Sequence, residues 1–295
     1  MRFRVFEGID GPSIAVQHMD RWMDTAQLDS MRGVQVAALA GLSSERTEAL
    51  KADLDQCAAE SLDVDVTRWL PPISQNARIF CIGLNYADHA EETSMEKPEY
   101  PLVFLRTFES FVGHRGELSV PLVSSAFDFE GELVVVLKKG GRYLSREAVS
   151  ECIGAFSVAN EGSIRDFQLA KGGGQWTMGK NFHASGSIGP DLVSTDELAP
   201  LGKGLGIETR LNGESVQRSN TRNMLFDLPE LVAYLSQAFL LRAGDVILTG
   251  TPAGVGIGRQ PPLYMKAGDD IEVEIEGVGL LQNRVTAERP RLQNL

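Results

Sequence analysis

The sequence predicts a mainly β fold with some α-helix, and three observations carry that expectation. Short runs that alternate in polarity or are apolar and β-branched recur from about residue 73 onward. Asn212-Gly213 stands between two alternating segments, a strong hairpin signature. Only a few stretches have helix length and cap chemistry. Many short strands with few helices suggest a closed or folded-over, barrel-like β core.

In chain order, "FRVFEG", "PSIAV" and "GVQVAAL" read as short strands, and "SERTEALKADLDQCAAES" reads as a helix with Ser44 as its N-cap and Glu45 and Glu48 in its first turns. Pro71-Pro72 in "WLPPIS" marks a boundary. Residues 1–72 are therefore expected to form a small α/β unit and 73–295 the main domain. The first unit shows no chemical constellation, and its His18 reads as a surface or packing histidine. In the second, "RIFCIGLN" (78–85) and "LVFLR" (102–106) are expected strands, as is "GAFSVANEG" (154–162), which ends in an acid. "SREAVSECI" (145–153) reads as a helix capped by Ser145. "LPELVAYLSQAFLL" (228–241) is an amphipathic helix with Pro near its first turn. "GDVILTGTPAGVGIG" (244–258) is a buried strand entering a Gly-rich turn, and "DDIEVEIEGVGLLQNRVT" (269–286) a solvent-facing hairpin or edge.

The chain has 295 residues, 43% apolar and 23% charged, which is ordinary for a globular protein. Its apolar runs fall far short of the ~20 residues of a membrane span, and "MRFRVFEGIDG" contains no apolar stretch of a signal peptide. The net charge of −12 argues against nucleic acid or an anionic membrane as partner. Cys57, Cys81 and Cys152 form no C-x-x-C pair, which fits a reduced, cytoplasmic location and core packing.

The densest chemistry lies in "FDFEGELVVVL" (127–137). On a strand, Asp128, Glu130 and Glu132 share one face, and Leu133–Val136 read as buried on both sides. No Lys or Arg occurs in this segment before Lys138, so the acids are either a solvated edge or neutralised by a hard divalent cation. Glu161 in "VANEGSIRD" supplies a third acid from another strand. His89 and Glu92, three apart in "GLNYADHAEE", share a helix face, either as an ordinary structural pair or as a carboxylate-supported base. Lys180 in "TMGKNFH" is a surface charge or an oxyanion stabiliser. "TGTPAGVGIG" lacks the G-K-[ST] of a phosphate loop and reads as a turn that brings backbone close to a ligand.

In order along the chain, "GLNYADHAEE", "FDFEGELVVVL", "NEGSIRDFQ", "GKNFHASGSIGPDLV", "LNGESVQRSNTRNMLF" and "GDVILTGTPAGVG" together resemble the fumarylacetoacetate hydrolase family. The resemblance implies a mixed β-sandwich roll, usually a homodimer, with a divalent ion near one end. It implies Mg²⁺ or Mn²⁺, with Ca²⁺ possible, on Glu130, Glu132 and Glu161; Asp128, one pleat repeat away, is expected to hold a bound water or orient a ligand. By the same resemblance His89, Glu92 and Lys180 are catalytic, and Arg106, Arg165, Gln168, Gly250 and Thr251 line the substrate site. Three positions depart from the family pattern. Glu161 stands where Asp is usual, Arg106, whose planar fork suits a substrate carboxylate, where Lys-Pro is common, and His183 where many members carry Asp. The implied activity is metal-dependent hydrolysis of a C–C bond in a 1,3-diketone or acylpyruvate-type 2-oxo acid, in catabolism of aromatic compounds or sugar acids. Oxaloacetate decarboxylation and hydration or isomerisation of 2-hydroxydienoates use the same metal-enolate chemistry, and a non-catalytic binding protein is the alternative from another class.

Overall fold

The computed structural model describes residues 1–57, 62, 67–87, 98–198 and 200–289. Its strands are β1 (Arg2–Gly8), β2 (Gly11–His18), β3 (Arg21–Asp24), β4 (Trp69–Leu70), β5 (Ile79–Gly83), β6 (Leu102–Arg106), β7 (Phe111–Val112), β8 (Glu117–Val120) and β9 (Phe127–Asp128). There follow β10 (Gly131–Leu137), β11 (Ile153–Asn160), β12 (Ser163–Ile164), β13 (Gly186–Ser194), β14 (Gly206–Leu211), β15 (Glu214–Asn220), β16 (Val246–Leu248), β17 (Asp270–Ile275) and β18 (Gly279–Ala287). The α-helices are α1 (Ser44–Gln56), α2 (Thr177–Lys180) and α3 (Leu228–Ala238).

The larger sheet runs β3-β2-β1-β13-β11-β10-β16-β5-β6, with β4 on β1 and β7 beside β13. The second runs β15-β14-β17-β18-β8, and β9 pairs with β12 alone. Strand β10 lies deep in the larger sheet and is buried along its whole length. One face sends Leu133 and Val135 into a core with Ile207, Val273 and Leu281 of the second sheet and Leu231 of α3. The other sends Val134 and Val136 into a core with Phe3, Val5, Leu50 and Leu54. A strand covered on both faces has no room for alternation, so its sequence is an unbroken apolar run.

The first residues extend this same sheet: β1 pairs with β13 through Arg2–Val193 and Phe3–Leu192. Arg4 Nε (2.6 Å) and Arg2 Nη1 (3.2 Å) both donate to Asp191 and pin the junction. Pro71 and Pro72 are buried in the connection from β4 to β5. No helix among the described residues is long and apolar enough to cross a membrane.

Most expected elements form, with five differences. "GVQVAAL" is not a strand but leads into a 3-10 helix, Val36–Gly41. Its three alanines favour a helical turn, and Leu39 and Ala40 pack into the core beneath the larger sheet. "SREAVSECI" forms only a 3-10 turn, Glu147–Glu151, because the chain must straighten at Ile153 to enter β11. The cap of α1 is Ser43, whose Oγ accepts from Arg46 N, one residue before the expected Ser44. The acidic segment is not one strand: it breaks at Phe129-Glu130 between β9 and β10. The 269–286 segment forms the expected hairpin with alternate residues toward solvent, but not at an edge: β17 lies between β14 and β18, and β18 between β17 and β8. The Asn212-Gly213 hairpin forms as expected, both residues having positive φ (53° and 83°), as a tight two-residue turn requires.

His114 lies where the sheets meet, 8% exposed, its Nδ1 accepting from Gln282 N at 3.2 Å. Burial, then Arg4 and Arg115, lower its pKa to about 4. Unfolded, it would titrate near 6.5, so between these values the unfolded chain binds more protons and stability falls as pH falls. Each tenfold change in proton affinity is about 1.4 kcal/mol, making the full loss on the order of 3 kcal/mol. Denaturant titrations of wild type and His114→Asn between pH 6.5 and 4 check this: the substitution should flatten the decline.

Candidate metal centre

The register of β10 against β11 builds the site. Gly131 pairs with Asn160, which sets Glu130 and Glu161 side by side just beyond the paired strands. Backbone bonds lock them there, Glu161 N donating to Glu130 O (2.7 Å) and Glu130 N to Asn160 Oδ1 (3.0 Å). Glu132 follows in β10. One carboxylate oxygen from each of Glu130, Glu132 and Glu161 lies within 4.8 Å of the others, and all three residues are buried.

Each carboxylate is held differently. Glu130 accepts from Ser163 Oγ (3.0 Å), and it pairs with Arg165 Nη1 (2.8 Å) and Lys180 Nζ (2.8 Å). Lys180 Nζ also donates to Glu161 Oε2 at 2.9 Å. Glu132 accepts from Gly250 N at 2.8 Å. Burial raises the Glu132 pKa well above the carboxylate range, and the Glu161 and Glu130 charges add to the rise. Burial works against the Lys180 charge, but Glu130 and Glu161 outweigh it and keep the amine protonated. Asp128 is not one of the three. Its carboxylate accepts from Gly256 N (2.7 Å), Ile257 N (3.0 Å) and Arg165 Nε (2.7 Å), and so orients the arginine that pairs with Glu130.

The donor set suits a hard divalent cation: three carboxylates from two adjacent strands, all oxygen. The buried Oε1 of Glu161 has no hydrogen-bond partner among the described residues. Its nearest charged partner is Arg106 Nη1 at 4.0 Å, beyond hydrogen-bond length, so a bound cation would supply the close contact it lacks.

A cleft opens over the triad, lined also by Gln168, Thr251, Trp176, Ile257 and Gly83. Arg165 Nη1 donates to Gln168 Oε1 at 2.8 Å, while its buried Nη2 has no partner among the described residues. Thr251 Oγ1 donates to Gly131 O (3.0 Å) and accepts from Gln217 Nε2 (2.8 Å), tying the Gly-rich turn to β10.

Arg106 is a correction. It was expected to offer its fork to a substrate carboxylate, but its side chain is fully buried behind Glu161. Its donors go to Ser110 Oγ (3.1 Å), Gly162 O (3.2 Å) and Ser185 Oγ (2.9 Å). His183 is exposed and takes no part in the Lys180 contacts. His89 and Glu92 lie outside the described residues. Asn85 is a site-proximal residue that the sequence pattern did not single out. It is fully buried, with Nδ2 donating to Phe226 O and Thr249 O and Oδ1 accepting from Phe226 N. A polar residue closing an apolar strand was the available signal.

The model of the fumarylacetoacetate (FAA) hydrolase C-terminal region matches residues 78–286. The chain belongs to the fumarylacetoacetate hydrolase family. It is 39% identical to oxaloacetate tautomerase FAHD2A, mitochondrial, of Bos taurus over 217 residues, 74% of this chain and 69% of that one. The fumarylacetoacetate hydrolase structure from Exiguobacterium antarcticum superposes with a TM-score of 0.83 at 32% identity, covering 98% of this chain and 100% of that one. The fumarylpyruvate hydrolase of Pseudomonas aeruginosa, in complex with Mn²⁺ and pyruvate, gives 0.66 at 32% identity over 76% and 93%. The mixed, strand-rich sandwich is thus the fold of this family, whose members are enzymes.

Gly162 is fixed by close approach: a Cβ there would sit 1.9 Å from Ser185 O and 2.8 Å from Phe127. Gly162→Ala should cost about 1–3 kcal/mol in overpacking and shift the neighbouring Glu161. Thermal denaturation checks the first effect and a Mn²⁺ titration the second.

Proposed function

We propose that this chain is a divalent-cation-dependent enzyme acting on the keto–enol system of a small anionic 2-oxo acid. The supporting observation is a buried triad of carboxylates in which Glu161 Oε1 accepts no hydrogen bond. Glu130, Glu132 and Glu161 would hold the ion, Mg²⁺ or Mn²⁺. A fumarylpyruvate hydrolase of this fold is described with Mn²⁺ and pyruvate, which supports that choice. Once bound, such an ion supplies a Lewis acid for a carbonyl oxygen.

The chain's own residues do the rest. Lys180, protonated between Glu130 and Glu161, sets a fixed positive charge beside the position where an oxyanion would form. The unpartnered Nη2 of Arg165 meets a substrate carboxylate, with the fork aligned by Asp128 and Gln168. Four buried acids (Asp128, Glu130, Glu132, Glu161) face three buried cations (Arg106, Arg165, Lys180), a formal −1 that a divalent ion turns to +1. A site of that sign favours an anionic substrate.

The first reading is tautomerisation of an oxaloacetate-like 2-oxo diacid. It is supported by relatives at 39–40% identity that carry the name oxaloacetate tautomerase. The second is C–C hydrolysis of an acylpyruvate, favoured by the His89–Glu92 pair, which would take a proton from water. A homodimer and a cytoplasmic location belong to the same proposal.

Enol–keto conversion of oxaloacetate and cleavage of acylpyruvates, each with EDTA and with Mg²⁺ or Mn²⁺ restored, test the proposal. Chelation should abolish activity and either metal should return it; turnover indifferent to EDTA would refute the metal role. His89→Ala should lower hydrolysis by ~10²–10⁴ with Mn²⁺ affinity unchanged, and equal loss of both would remove the base assignment.

A further inference from the structure

We infer that Arg106 is a positioning residue for Glu161: it sets the third carboxylate of the triad by gripping the backbone next to it, and touches no substrate. The inference rests on the metal reading above. Arg106 closes β6, paired with Ile79, and its guanidinium lies 4.2 Å from the centroid of the Phe111 ring. Its three nitrogens reach three separate pieces of chain: Nε the 107–112 turn through Ser110 Oγ, Nη1 the carbonyl of Gly162, and Nη2 Ser185 Oγ just before β13. Ser185 also supplies the carbonyl against which Gly162 is pressed. The turn carrying Glu161 is therefore clamped from the Arg106 side and from the Ser185 side at once.

Toward the carboxylate itself Arg106 stands off. Nη1 is 4.0 Å from Glu161 Oε1, beyond hydrogen-bond length. The oxygen stays available for a cation while the backbone behind it is fixed. A planar fork can bridge three acceptors in one plane; a lysine ammonium at this depth cannot reproduce that geometry.

The two roles Arg106 could play have opposite signs. Its charge alone opposes a divalent cation at Glu161, so a purely electrostatic residue would be one whose loss tightens metal binding. A clamp is one whose loss weakens it. Calorimetric titration of Mn²⁺ into the full chain, with metal-free melting temperatures measured alongside, separates them for wild type, Arg106→Lys, Arg106→Met, Ser185→Ala and Glu161→Gln. Arg106→Lys and Arg106→Met should both weaken Mn²⁺ by about 10–100-fold, the usual cost of losing a residue that orients a ligand. Ser185→Ala, which keeps the charge and removes one bond, should weaken it several-fold, and it decides the matter if Arg106→Met does not fold. Wild-type affinity in both Arg106→Lys and Ser185→Ala, or tighter binding in Arg106→Met, overturns the clamp while Glu161→Gln still shows the metal site. A wild-type chain that takes up no Mn²⁺, or a Glu161→Gln chain that binds it unchanged, overturns the metal reading and the clamp together.

Discussion

The structure depends on keeping four carboxylates ionisable inside a protein. Glu130, Glu132 and Glu161 bring oxygens within 4.8 Å of one another, and Asp128 is buried just behind them. At an effective dielectric of about 20, two like charges at that range repel by about 3–4 kcal/mol. The neighbourhood is arranged against this cost. Lys180 bridges Glu130 and Glu161, Arg165 bridges Glu130 and Asp128, and Glu132 has one backbone N–H. Glu132 is the least compensated, and its raised proton affinity is the sign of that shortfall.

This arrangement explains why the site sits at the end of the most deeply buried strands. Only neighbouring strands in register can hold two acids from distant parts of the chain at a fixed separation, and β10 and β11 do so through the Gly131–Asn160 pair. Placing β10 under two cores fixes its height and tilt from both faces. The N-terminal strands take part indirectly: they lengthen the larger sheet beyond β13, and α1 covers the face opposite the second sheet. No residue of β1 to β4 lines the cleft.

How much of this was legible follows the range of each interaction. Most of the strands, the hairpin at 212–213 and helix α3 rest on local pattern, and they form within a few residues of where the pattern puts them. The acids stood out because their neighbours in sequence offer no counter-charge. Their real partners, Lys180 and Arg165, lie 35 to 50 positions from Glu130 along the chain, and nothing in "FDFEGELVVVL" points to them. Arg106 was read as a free fork for the same reason: two of its acceptors, Gly162 and Ser185, lie 56 and 79 residues away. The break at Phe129-Glu130 was hidden because three alternating acids look the same whether the strand continues or bends.

The Gly-rich turn after β16 shows how backbone replaces side chains in this balance. Turns of this composition offer N–H groups to an anion, commonly a phosphate. Here Gly250, Gly256 and Ile257 direct theirs at Glu132 and Asp128, the protein's own carboxylates. Gly250 holds a φ of +97°, and a Cβ there would meet Asn85 at 2.8 Å, so the turn closes on the segment leading toward residues 88–97. Backbone donors stabilise an anion without adding a full positive charge, so they orient Glu132 and leave its affinity for a cation intact. The turn thus lets the protein gather acids in its interior and still keep them attractive to a cation.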